Sequence, residues 1–225
     1  MQPMTLPLPP VNRLNRNVTP FDRAVLRLDR LIKSALGPHV PTRPYPAEGV
    51  PDTVSDPVMR RHVAGLMRVN HAGEICAQAL YHGQAATAKL TGVRDSMAQA
   101  AQEEVDHLAW CAQRLTELHA RPSVLDPLWY AGSFIIGAVA GISGDRNSLG
   151  FVAETESQVV AHLQAHLAQL PQQDARTRAV LKQMVSDEAQ HGGQALHQGG
   201  ILPPGPIKVL MKLTAKLMTA TSRWI

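Results

Sequence analysis

Among the residue types able to do chemistry, two Glu-x-x-His pairs stand out: Glu104/His107 and Glu188/His191. A spacing of three puts both members of a pair on one side of a helix. Chance alone would produce about 0.4 such pairs in a chain of this composition, so one pair by itself carries little weight. Their surroundings carry more. Glu74 lies 30 residues before Glu104, and Glu156 lies 32 before Glu188, so the chain states twice a helix bearing Glu, a turn, and a helix bearing Glu-x-x-His. Residues level with each other in an antiparallel hairpin are equidistant from its turn. The midpoint of the second pair, position 172, falls beside Pro171; that of the first, position 89, comes a few residues before Gly92.

Helical faces choose among neighbouring acids. Met97, Ala101, Glu104, Leu108, Cys111, Leu115 and Leu118 form one stripe, with Ser96, Gln99, Glu103, Asp106, Gln113 and Glu117 on a polar face, so Glu104 is expected inward and Glu103 outward. Leu181, Met184, Glu188, His191 and Ala195 share a second stripe, with Gln183, Asp187, Gln190 and Gln194 elsewhere. Val152, Glu156, Leu163 and Leu167 form a third, which favours Glu156 over Glu154.

Carboxylates aimed into an apolar core are costly unless compensated, and two divalent cations balance four of them. Oxygen-rich ligation with one imidazole per metal suits iron or manganese better than zinc, and two bridging glutamates leave positions open for dioxygen. The expected ligands are Glu74, Glu104, His107, Glu156, Glu188 and His191, the set used by ferritin-like di-iron four-helix bundles. His71, one turn before Glu74, reads as a core or supporting histidine, as do His162 and His166. Tyr81, two turns after Glu74, fits either a channel wall or the core, and Cys111 fits packing.

To position these groups the pattern predicts four long helices: about Val58 to Ala88, Asp95 to Ala120, Leu149 to Leu170 and Asp174 to Gln198. Thr91 and Gly92 break the first pair, and Ser143 to Ser148 reads as a turn and cap before the third helix. Between the pairs lies Leu128 to Ile142, uncharged but shorter than the roughly 20 residues needed to span a bilayer, hence buried or interfacial. A basic amphipathic helix over Phe21 to Leu36 and another from Pro206 to Ser222 flank them. The fold expected is all-α, a four-helix bundle over 58–225 with added N- and C-terminal helices, preceded by a proline-rich arm over 1–57.

The net charge of +4 comes without the dense basic runs of a nucleic-acid arm, so an anionic membrane surface is the better partner. Cys76 and Cys111 form no CxxC, which argues against a disulfide framework or thiolate metal site and fits a reducing compartment. With no signal-peptide core near Met1, the expected location is the cytoplasmic face of the cell membrane, peripherally attached. Self-association into a homo-oligomer stays open.

Arg68 to Glu74 reads RVNHAGE and is followed by Tyr81-His-Gly-Gln84, EEVDH over Glu103 to His107, Arg121-Pro-Ser, Pro127-Leu-Trp129, Thr155-Glu156 and Asp187-Glu188 to His191. Over Met59 to Ile225 this resembles the di-iron demethoxyubiquinone hydroxylases of ubiquinone biosynthesis. The resemblance implies the same six ligands, with Glu104 and Glu188 bridging. It also implies oxygen-dependent hydroxylation of a 2-polyprenyl-3-methyl-6-methoxy-1,4-benzoquinol at its free ring carbon. NADH is a candidate electron donor, and with no G-x-G-x-x-G present it would dock without a Rossmann unit. The alternative is a ferritin-type iron-storage bundle with no organic substrate; the greasy 128–142 segment and last helix, unnecessary for storage, speak against it.

Overall fold

The computed structural model describes residues 39–225, together with Thr19, Asp22 and Gly37. The expected basic helix over Phe21 to Leu36 lies, Asp22 apart, outside the described residues. Among those described there are six helices and no strand: α1 Pro57–Thr87, α2 Thr91–Glu117, α3 Asp126–Ile142, α4 Asp145–Gln169, α5 Ala175–His197 and α6 Gly205–Ser222. The chain is thus all-α, a ferritin-like bundle with additional helices.

Helix starts follow local chemistry. Asp56 caps α1 by accepting from the Met59 amide, with Pro57 in the first turn where no N–H is needed. Asp174 caps α5 through the Thr177 amide. Two boundaries differ from expectation. Thr91 and Gly92 do not break the pattern but form the first turn of α2, so the connection from α1 is only three residues and position 89 is its centre. Both hairpins therefore obey the equidistance rule equally well. Helix α4 begins at Asp145, not Leu149, because Gly144 adopts a φ of 113° that few other residues tolerate, and the Asp145 carboxylate accepts the Lys89 and Leu90 amides at 3.0 and 2.8 Å. One acid thereby ties the start of α4 to the α1–α2 turn.

Hairpins α1/α2 and α4/α5 pack closely within themselves, and α1 meets α4, as α2 meets α5, with fewer close backbone approaches. The crossover helix α3 lies along α1 in intimate contact. A Cβ on Gly137 would collide with the Leu80 backbone, and one on Gly83 with the Phe134 carbonyl, so glycine at both positions lets the two helices touch. Helix α6 rests lightly on α1 and α4, leaving Leu210, Leu213 and Leu217 exposed, as are Leu128, Ile135, Val139 and Ile142 of α3. No helix among the described residues is long and apolar enough to cross a membrane.

The segment before α1 is strapped across the bundle. Ala47 and Val54 sit in the core, and Asp52 pairs with Arg114 of α2 at 2.8 Å. Arg114 is fully buried, yet Thr177, Glu117 and Asp174 also surround its guanidinium, so the charge is paired on every side.

Candidate metal centre

Midway along the bundle, ligand atoms from Glu74 (α1), Glu104 and His107 (α2) and Glu188 (α5) all lie within 4.8 Å of one another. Glu156 of α4 and His191 of α5 adjoin them: His191 Nδ1 is 3.3 Å from Glu188 and 3.8 Å from Glu104, and Glu156 lies against Glu188. All six residues expected from the sequence meet at one place. The five Glu and His residues from Glu74 to Glu188 are 2 % exposed or less, while His191 is the one partly open member.

The distances divide the cluster in two. Glu104 turns Oε2 to His107 Nδ1 at 3.1 Å and Oε1 to His191 Nδ1 at 3.8 Å. Glu188 does likewise, Oε1 to His107 Nδ1 at 2.9 Å and Oε2 to His191 Nδ1 at 3.3 Å. Each of these carboxylates offers one oxygen to each imidazole. Glu74 adds an oxygen 3.6 Å from His107 Nδ1, and Glu156 lies against Glu188 and Tyr81.

Three carboxylate oxygens thus surround a single nitrogen, His107 Nδ1. That histidine already donates from Nε2 to Asp187 Oδ2 at 2.9 Å, so in the neutral ring the Nδ1 lone pair faces anions. Only a proton or a metal ion relieves this. Glu104 Oε1 and Glu156 Oε2 are buried without a hydrogen-bond partner among the described residues, which makes them donors to spare. The residues present fit divalent metal.

Protonation tells the same story for the metal-free chain. Burial, reinforced by Glu188, pushes Glu104 and Glu156 well above the usual carboxylate range. Burial would lower His107, but Asp187, Glu104, Glu188 and Glu74 hold it well above its ordinary value; for His191 burial is again outweighed, by Glu188 and Glu104, to about 9. Glu188 itself, despite burial, is held below the usual range by His107 and His191.

Tyr81 proves to be a wall of the site: its hydroxyl donates to Glu156 Oε1. It stands between a narrow cleft lined by Ala77, Leu80, Val152 and Thr155 and a cavity of about 80 Å³ that His191 and Glu103 border. Glu154 faces away and pairs with Lys208 of α6 at 2.7 Å, which resolves the choice between the two acids of α4. His71 lies beside Asp126 at 3.0 Å, His166 donates from Nδ1 to Asn70 Oδ1, and Cys111 packs on Met184.

The polar-face expectation holds for Glu103, whose side chain is 39% exposed, and fails for Asp106. Asp106 is buried, accepting from the Thr42 amide and from Arg43 Nε at 2.6 Å each. Glu103 Oε2 accepts from His191 Nε2 at 2.7 Å, and Asp187 accepts from His107 Nε2. Each His is therefore held by the acid that precedes the Glu of the opposite Glu-x-x-His pair. The repeated acid-Glu-x-x-His pattern was the available signal; Arg43 had none.

Paired hairpins around a buried carboxylate–imidazole cluster define a helical bundle able to hold metal. The family model for Ubiquinone biosynthesis protein COQ7 matches residues 61–222, and the chain belongs to that family. The 3-demethoxyubiquinol 3-hydroxylase of Legionella pneumophila strain Paris is 52% identical over 207 residues, 91% of this chain and 97% of that protein. Those of Azotobacter vinelandii strain DJ, 54% identical over 208 residues, and Pseudomonas aeruginosa strain LESB58, 52% identical over 209, each cover 92% of this chain and 97% of their own length.

Proposed function

We propose that this chain is an oxygen-dependent monooxygenase of ubiquinone biosynthesis that hydroxylates demethoxyubiquinol, a polyprenyl benzoquinol, at its free ring carbon. The carrying observation is that Glu104 and Glu188 each present one oxygen to each imidazole. That arrangement supports two metals, with Glu74 and His107 on one, Glu156 and His191 on the other, and the two central glutamates shared. Two irons bound there would supply dioxygen activation. The chain's own side chains bind and orient: Ala77, Leu80 and Val152 offer apolar walls beside Glu156, and the Tyr81 hydroxyl keeps Glu156 in place. Electrons arrive from a donor such as NADH.

The exposed apolar side chains of α3 and α6, with Lys212 and Lys216 beside the latter, support peripheral attachment to the cytoplasmic face of an anionic membrane, from which a prenylated substrate is drawn. Iron storage, the alternative, gains nothing from such surfaces, and the similar proteins above are named as hydroxylases.

The test is hydroxylation by the purified, iron-loaded protein under labelled dioxygen. Label in the new ring hydroxyl and about two irons per chain are expected. Label absent from the product, or hundreds of irons per assembly, would refute the reading. Replacing Lys212 and Lys216 with Glu should weaken sedimentation with acidic vesicles, by about 1 kcal/mol for each lysine lost; unchanged sedimentation would place the membrane contact elsewhere.

A further inference from the structure

The two halves of the centre match as far as the imidazoles and their crossed carboxylates, then diverge. Asp187 Oδ2, which takes the His107 Nε2 proton, also accepts from Arg43 Nη1 at 2.8 Å, and Asp187 Oδ1 accepts from Gln183 at 2.9 Å. Arg43 Nε reaches Asp106, itself held by the Thr42 amide, and the guanidinium lies over the Trp110 ring, 4.7 Å from its centroid. The strap thus delivers a fork that spans α2 and α5 and fixes one imidazole's partner. Glu103, in the corresponding place, accepts from Gln99 and His191 and pairs with no arginine or lysine among the described residues. Its side chain is 39% exposed, against 13% for Asp187, and His191 borders the 80 Å³ cavity while His107 is sealed.

We propose that Arg43 is a positioning residue that makes the two metal positions unequal, so that metal loads first at the His107 position and leaves first from the His191 position. This rests on the reading of the six ligands given above. A ring already locked by a clamped carboxylate loses less freedom when it takes a metal, and a position buried from water holds a paired charge more tightly than one beside an open cavity. The His191 position has the opposite character on both counts.

The experiment is titration of the chelator-treated full chain with Co(II), followed by calorimetry and by the ligand-field absorption of the bound ion. The unaltered chain is expected to take two equivalents in separate steps. Arg43→Met, which keeps an aliphatic stem on Trp110, should weaken the tighter step about 10- to 100-fold, so that the steps approach each other. Asp187→Asn should weaken the same step, and Glu103→Gln the looser one. Arg43→Lys, a cation without the fork, should fall between Arg43→Met and the unaltered chain. Circular dichroism of each metal-free variant checks that helix content is retained; if Arg43→Met fails this check, Arg43→Lys and Asp187→Asn decide. Equal affinities in the unaltered chain, or loss confined to the looser step in the Arg43 and Asp187 variants, would overturn the proposal. Fewer than two equivalents in the unaltered chain would instead overturn the six-ligand reading beneath it.

Discussion

Replacing Glu156 with Gln should strengthen the metal-free protein while weakening its hold on metal. In the metal-free chain Glu156 is fully buried, accepts from Tyr81 at Oε1 and lies against Glu188. Glutamine keeps the tyrosine contact through its carbonyl and turns a neutral amide toward the Glu188 carboxylate. The difference lies in titration. Burial and Glu188 raise Glu156 above its ordinary value of 4.5, so below that value folded and unfolded chains are both protonated there. As pH rises from 4.5 toward the raised folded value, only the unfolded chain loses its proton, and stability falls by about 1.4 kcal/mol per pH unit. The glutamine of the variant does not titrate. The stability difference between variant and parent should therefore grow in the variant's favour with pH across that window, and then level off. Urea unfolding of both metal-free proteins from pH 4 to 8 measures it. With metal the sign reverses, because a charged ligand has become neutral and hydroxylation should fall by orders of magnitude. Glu154→Gln loses only its pair with Lys208, worth about 0–1 kcal/mol, and should leave metal binding alone. A metal-free Glu156→Gln protein less stable than its parent at high pH, or a Glu154→Gln protein that binds metal poorly, would refute this account.

Metal uptake near pH 7 should release protons, because Glu104, Glu156, His107 and His191 all hold theirs above the ordinary range in the metal-free chain. A pH indicator in weak buffer reads the release, metal affinity should fall as pH falls, and uptake without protons would contradict the assignment. Gly137→Leu forces α3 off the Leu80 backbone and should cost about 1–3 kcal/mol, read as a lowered thermal midpoint; an unchanged midpoint would mean that the helices need not touch. Arg114→Met leaves Asp174 and Thr177 buried without their cation and should cost about 3–5 kcal/mol by denaturant unfolding, with a smaller loss showing that water reaches them.

Much of the centre is legible in the linear chain because it is built from local periodicity. Spacing of three places Glu104 with His107 and Glu188 with His191, apolar stripes point Glu156 inward, and equal distances from two turns bring the four helices level. Short-range regularities also mislead at their edges: Gly92 reads as a break but sits in the first turn of α2, where helix formation costs little, and Asp106 reads as solvated because helical phase says nothing about a strap arriving from elsewhere. What only the tertiary structure decided are pairings between segments far apart in sequence. Arg43 reaches Asp187 across 144 positions and Asp106 across 63, and Glu103 finds His191 across 88. Periodicity repeats within one helix and so fixes which way a side chain points; it carries no information on which distant group will stand opposite, and at this centre that opposite group is what distinguishes the two otherwise repeated halves.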